Sequence, residues 1–150
     1  MSEQTVKVKT TRFGEFDVKV NSIIEVVGGL IGFPKFTRFV LLEYNPPFSW
    51  LHSVENADLA FVVVNGAEFG PNYDFPLPMG DPSIELRTED EVAIMNIVSV
   101  RTSPQDTTVN LKAPVVVNMR NMRARQIILE DPNLSVRFPL WGTEGEKPAP

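Results

Sequence analysis

The sequence predicts an all-β protein, a small antiparallel β-barrel of about eight or nine short strands with at most short helical turns. Turn residues, chiefly Gly, Pro, Asn and Asp, recur roughly every ten positions along the chain. The apolar runs between them are short, about four to eight residues, and rich in Val, Ile and Phe, which suit a pleated buried surface. Helical periodicity is almost absent. A chain of 150 residues is about one domain's worth. A single domain is expected over residues 1–140, and the Gly, Glu, Lys and Pro content of residues 141–150 predicts a disordered tail.

The elements follow in order. From Val6 to Val20, apolar and charged residues alternate as Val6, Lys7, Val8, Lys9 and then Phe16, Asp17, Val18, Lys19, which predicts two half-buried strands around a turn at Thr10–Gly14. Ser22–Val27 reads as a short strand stopped by Gly28 and Gly29, and GGLIGFPKF as a glycine-punctuated loop. Arg38–Tyr44 is a strand closed by Pro46 and Pro47. Phe48–Val64 reads as a hairpin whose polar turn carries Glu55, Asn56 and Asp58. Tyr73, Phe75 and Leu77 alternate around Asp74, which fits a short edge strand because Pro76 and Pro78 cannot donate to a central ladder. Asp81, Pro82 and Ser83 could start about one helical turn. In Glu91–Arg101, Thr88 with Glu91 resembles a helix capping box. The alternation of Val92, Ile94, Val98 and Val100 across Asn96 favours a strand instead. TVNLKAPVVVN and ARQIILED read as two final strands joined by MRNMR. The expected core is Val18, Phe39, Leu41, Leu51, Phe61, Val63, Ile97, Val116 and Ile128.

Composition narrows the function classes. No apolar run approaches the ~18 residues that span a bilayer, and MSEQTVKVK lacks the apolar centre of a signal peptide, so the expected location is the cytoplasm, without a membrane partner. With no cysteine and one histidine, disulfides, thiolate zinc sites and multi-histidine metal sites are excluded, and no cofactor is expected. Net charge is -5, unevenly spread. Residues 41–110 hold eleven Asp or Glu against Arg87 and Arg101, while both flanking segments are slightly basic. Such an acidic belt disfavours direct nucleic-acid binding, which rests on neutralising phosphates, and favours a basic protein partner.

Catalytic arrangements are sparse. His52 beside Ser53, with Asp58 nearby, permits a Ser-His-Asp reading, the alternative being a small ligand-binding barrel or hydrolase, but no G-x-S-x-G elbow accompanies it. The pairs Asp90 with Glu91 and Glu130 with Asp131 read as solvated faces. No calcium loop, Walker loop or dinucleotide fingerprint occurs. Arg120, Arg123 and Arg125 cluster at a predicted hairpin tip and read as a solvated turn or as partners of the acidic belt. Phe48, Trp50 and Tyr44 gather around Pro46 and Pro47, as anchors or as core. An extended peptide could also add to a strand edge left open near the proline-rich 71–82 region.

Several of these stretches, taken together and in this order, carry a family pattern: TTRFGEFDV, GLIGF followed by RFVLLEY, FSWLHSVENADLAFVVV, TVNLKAPVVVN, and RARQIILED before RFPL. They resemble the flagellar assembly factor FliW family over nearly the whole chain. Ile31 stands where that family usually has proline, NMRAR replaces a more basic turn, and Phe138 stands where histidine is common. The resemblance implies a non-enzymatic β-barrel that binds cytoplasmic flagellin and, alternatively, the basic RNA-binding translational repressor CsrA, so that flagellin export controls flagellin synthesis. On that reading, Glu55, Asp58, Glu89, Asp90 and Glu91 are expected to face CsrA because of their charge. Phe48 and Trp50 are expected to anchor flagellin as exposed aromatics.

Overall fold

A computed structural model describes residues 4–100 and 102–140. The chain forms the expected all-β barrel. Its strands are β1 (Thr5–Thr10), β2 (Gly14–Lys19), β3 (Ile24–Val26), β4 (Arg38–Glu43), β5 (Phe48–Ser53), β6 (Ala60–Asn65), β7 (Val92–Ser99), β8 (Thr108–Val109), β9 (Val115–Asn118), β10 (Arg123–Gln126) and β11 (Phe138–Pro139). Among the described residues there are eleven strands where eight or nine were expected, because TVNLKAPVVVN splits into β8 and β9 and because β11 is a two-residue addition. The split falls at Asn110, whose side-chain carbonyl accepts from the backbone N–H of Lys112 and of Ala113, closing an Asx turn inside the run.

Seven strands close the barrel in the order β7-β6-β5-β4-β3-β10-β9, with β9 returning to β7. All these pairings are antiparallel except β3 with β10, which run parallel and set Arg123 opposite Glu25. The short β8 and β11 extend the sheet beyond β7. The β1–β2 hairpin is a separate two-stranded sheet. Residues 71–82 do not form the expected edge strand, and only 3-10 turns, such as Gly66–Phe69, interrupt the β structure. Asp81 opens a single turn, its carboxylate accepting from the Ser83 N–H at 2.8 Å. Within Glu91–Arg101, Val92–Ser99 is a strand, as the β-branched alternation predicted. Among the described residues no helix is long and apolar enough to cross a membrane. The expected tail, residues 141–150, lies outside the described residues.

The barrel interior is packed by Ile24, Val26, Phe39, Leu51, Val63, Met95, Val115, Val117 and Ala124, with Leu30 plugging one end. Gly29 permits that plug: its φ is +72°, and a Cβ there would stand 2.6 Å from the Phe33 carbonyl oxygen. Two further clusters cover the outer face. Val64, Phe69, Val98, Val109, Leu111 and Leu140 form one, and Ile84, Leu86 and Val116 form the other.

Of the expected core, Phe39, Leu51, Val63 and Val116 are buried, and Val18, Phe61 and Ile97 are half-buried. Leu41 and Ile128 are not core residues. Leu41 shares the inner face with Phe39 and Leu51, but β3 pairs only with Arg38 and Phe39, so the wall beside Leu41 is open and the residue is 47 % exposed. Ile128 follows the inner-face phase of Ala124, yet β10 ends at Gln126. Beyond the barrel rim the covered face is the outer one, so Ile127 and Leu129 are packed and Ile128 is 66 % exposed.

Candidate functional site

The His52, Ser53 and Asp58 side chains do not converge. Consecutive strand residues point to opposite faces, and β5 sends His52 outward and Ser53 toward the barrel. His52 is fully buried beneath the β1–β2 hairpin, its Nδ1–H donating to the Ser53 carbonyl at 2.8 Å. Ser53 Oγ accepts from the N–H groups of Glu55 and Asn56, both at 3.0 Å, and so caps the β5–β6 turn. Asp58 accepts the Thr11 hydroxyl. Nucleophile, base and orienter are therefore held in three separate structural roles, and the Ser-His-Asp reading fails on geometry.

The acidic residues divide into two groups at opposite ends of the barrel. Because Val62 pairs with Val98 and Asn65 with Met95, the β5–β6 turn lies beyond one end of β7, and Glu89–Glu91 beyond the other. The length of β7, about 25 Å at ~3.4 Å per residue, separates Glu55 and Asp58 from Glu89, Asp90 and Glu91. Glu55 braces the start of β4, its Oε1 accepting from the N–H groups of Thr37 at 2.9 Å and Arg38 at 3.1 Å. Together with the Thr11 N–H bond to the Ala57 carbonyl at 2.9 Å, Asp58 fastens the tip of the separate hairpin to the barrel.

At the opposite end, the segment around residues 81–90 docks onto the β9–β10 turn through the arginine cluster. Arg120 Nε donates to Asp90 at 2.9 Å, Arg123 pairs with Glu85 at 3.0 Å, and Arg125 lies 3.5 Å from Asp81. Asn118 and Asn121 both donate to the Ile84 carbonyl, at 2.9 and 3.0 Å, and Arg120 Nη2 donates to that of Glu85. Glu85 holds a left-handed φ of 48° within this clamp. The Asp90 carboxyl is held below the ordinary carboxylate range, chiefly by the Arg120 bond and further by the Arg87 N–H and Asn118. That of Asp81 is lowered chiefly by the Ser83 hydroxyl and less by Arg125. The basic cluster thus pairs with the acidic belt, and Asp81, Glu85 and Asp90 are taken up within the fold. No ion pair reaches Glu89 or Glu91 among the described residues, and both are exposed.

Phe48 and Trp50 lie on the outward face of β5, both half-buried. Trp50 sits inside an aromatic stack: Tyr44 lies 5.3 Å away, Phe13 meets it edge-on at 6.0 Å, and the Arg12 guanidinium stands 4.9 Å over the ring. The exposed rings are Tyr44 and Phe13, 47 % and 46 % accessible. Phe48 packs on Tyr44 at 6.5 Å and, with Pro46 and Pro47, lines an open groove of about 370 Å³. Arg12 and Phe13 were not among the candidate residues, because nothing local links a hairpin tip to a strand nearly forty positions later.

A polar network lies beside the cluster on which Phe48 and Tyr73 pack. The Tyr73 hydroxyl donates to the Leu111 carbonyl at 2.6 Å and accepts from Asn96 Nδ2 at 2.8 Å, and Asn96 also donates to the Asn110 carbonyl at 3.0 Å. Burial raises the phenol above its ordinary pKa of 10.0.

A family model described as FliW protein matches residues 7–140. The flagellar assembly factor FliW of Geotalea uraniireducens is 39 % identical over 145 residues, covering 95 % of this chain and 88 % of that one. The protein of the same name from Bdellovibrio bacteriovorus is 37 % identical over 137 residues, covering 89 % of this chain and 78 % of that one. A crystal structure of the flagellar assembly factor FliW superposes with a TM-score of 0.83 at 29 % identity, covering 93 % of this chain and 99 % of that chain.

Proposed function

The chain belongs to the FliW family of flagellar assembly factors, and from that membership we propose that it is a cytoplasmic, non-enzymatic partner switch that binds flagellin and, when flagellin is exported, binds and antagonises the repressor CsrA. The observation that carries this reading is the extent of the family match, residues 7–140 on a barrel of the same fold. Its surfaces are consistent with binding: one face presents stacked aromatics, and the opposite termini of the barrel present carboxylates.

Flagellin is assigned to the aromatic face around Phe48 and Trp50, with Tyr44 and Phe13 as the exposed rings of the same stack. Rigid aromatic side chains supply contact area at low entropic cost, which is why they dominate the energetics of interfaces. CsrA is assigned to the carboxylates first picked out by charge. Glu89 and Glu91 are the strongest of these, because among the described residues no arginine takes up their charges. Glu55 and Asp58 form a second acidic site at the far end, and Asp90 contributes by holding the 81–90 segment in place. A basic repressor gains association rate from such a surface. Co-purification of the tagged protein with flagellin and CsrA from its own cytoplasm tests the reading; a preparation that recovers neither, from cells making both, overturns it.

A further inference from the structure

Beyond β10 the chain stays extended, and among the described residues only one of its edges is covered. Ile127 N–H donates to the Pro114 carbonyl at 3.0 Å and Leu129 N–H to the Lys112 carbonyl at 2.8 Å. In an extended chain alternate residues direct their main-chain groups to opposite sides. Ile128 and Glu130 therefore turn their N–H and C=O groups away from residues 112–114, and among the described residues no hydrogen bond reaches those groups. Folded proteins blunt such edges with charge, proline or a covering element. Here the edge carries Ile128, the most exposed large apolar side chain among the described residues at 66 %.

The edge borders an open groove of about 460 Å³. Phe75, Pro76 and Pro78 form one wall, and Ile127 and Ile128 the other. The charged groups lining it are Asp74, Glu130 and Asp131, with no lysine or arginine among them. We propose that this edge and groove bind an extended cationic peptide segment of a partner protein, added as a strand beside Ile128–Glu130, with an apolar side chain between Ile128 and Phe75 and with lysine or arginine side chains against the three carboxylates. Main-chain pairing supplies affinity in this mode and alternate side chains supply selectivity.

Charge selects the occupant. A second copy of this chain adding through the same edge would bring Glu130 and Asp131, rather than a lysine- or arginine-rich strand, to a groove lined by three carboxylates, a poor charge match. The chain's own residues 141–150 carry Glu144 and Glu146 against Lys147 and so lack the net positive charge that the three carboxylates select. The groove shares no residue with the aromatic face or with the carboxylates assigned above, so this inference does not rest on that assignment.

The test uses the full chain and a fluorescein-labelled heptapeptide of alternating lysine and valine, with the glutamate-valine counterpart as control. The lysine peptide is expected to bind, to slow amide exchange at Ile128 and Glu130, and to bind more weakly as salt rises. Ile128→Lys is expected to weaken it about tenfold or more, the loss typical of an apolar anchor and its pocket. Because Ile128 is largely exposed, that variant should keep its far-ultraviolet spectrum, and Glu130→Lys with Asp131→Lys gives an independent second arm with the same expected loss. Equal binding of the glutamate peptide, unchanged affinity in both variants, or sedimentation showing the wild type self-associating through Ile128 overturns the proposal.

Discussion

Arg120 Nε donates to Asp90 Oδ1 at 2.9 Å, and the carboxylate that accepts this bond is only 3 % exposed. Asp90 also accepts from Arg87 N–H at 2.9 Å and Asn118 Nδ2 at 3.1 Å. One carboxylate therefore ties the approach to β7 to the end of β9 and to the β9–β10 turn. Its folded pKa is depressed, as is that of Asp81. A group shifted in this direction contributes stability that is fully present above its unfolded pKa and is lost as pH falls through the folded value. Denaturant unfolding at a series of pH values should show stability falling as pH drops below about 4, the unfolded carboxylate value. Asp90→Asn should lower stability at neutral pH and flatten that acid slope; a slope unchanged in the variant would show that Asp90 is not responsible for it.

Tyr73 is the bridge between Asn96 and the Leu111 carbonyl. Tyr73→Phe keeps the ring contacts with Phe69 and Phe75 but removes both hydrogen bonds of the hydroxyl, leaving Asn96 Nδ2 with the Asn110 carbonyl alone. Equilibrium unfolding should show a loss of ~1–2 kcal/mol, the usual range for a half-buried polar group losing its partner. A loss within error of zero would mean that water replaces the hydroxyl without penalty.

Asp58 holds the tip of the β1–β2 hairpin through the Thr11 hydroxyl, beside the Thr11 N–H bond to the Ala57 carbonyl. An isolated hairpin is marginal in water. Asp58→Ala should therefore speed amide exchange in β1 and β2 and red-shift tryptophan emission as Phe13 and Arg12 lift from Trp50, while the barrel amides stay protected. Exchange confined to the β5–β6 turn would mean that the Phe13 contacts with Trp50 and His52 suffice to hold the hairpin.

Much of the barrel was legible in the sequence because strand alternation and turn residues are local signals. The β1–β2 pair, β4, the β5–β6 hairpin and β7 all follow from them. The misplaced residues fail for non-local reasons. Leu41 has the right phase, but its exposure depends on how far β3 extends beside it. Ile128 has the phase of β10, but the covered face changes where the strand leaves the barrel. The split of TVNLKAPVVVN turns on one side chain, Asn110, satisfying two backbone donors. Among the charged candidates, charge was visible but commitment was not. Asp58 is used by Thr11 and Asp90 by Arg120, partners 47 and 30 positions away, which no window along the chain can reveal.

Glu89 and Glu91 are exposed and reached by no ion pair among the described residues, whereas Asp90 between them is a brace. Glu89→Lys with Glu91→Lys should leave the fold intact and slow association with CsrA by about tenfold at low salt, with the difference shrinking as ionic strength rises. Stopped-flow association over a salt series reads this directly. Identical rates for wild type and variant would move the CsrA contact to Glu55 and Asp58 or away from the acidic surface.

Partner switching itself is tested most directly by displacement. A complex of this protein with labelled CsrA is formed, unlabelled monomeric flagellin is titrated in, and free CsrA is followed by fluorescence anisotropy. A flagellar assembly factor working as a switch releases CsrA as flagellin fills its site, and Trp50→Ala with Tyr44→Ala abolishes that release while leaving the CsrA complex intact. A CsrA complex that persists at saturating flagellin, with flagellin bound alongside it, would contradict the proposed function.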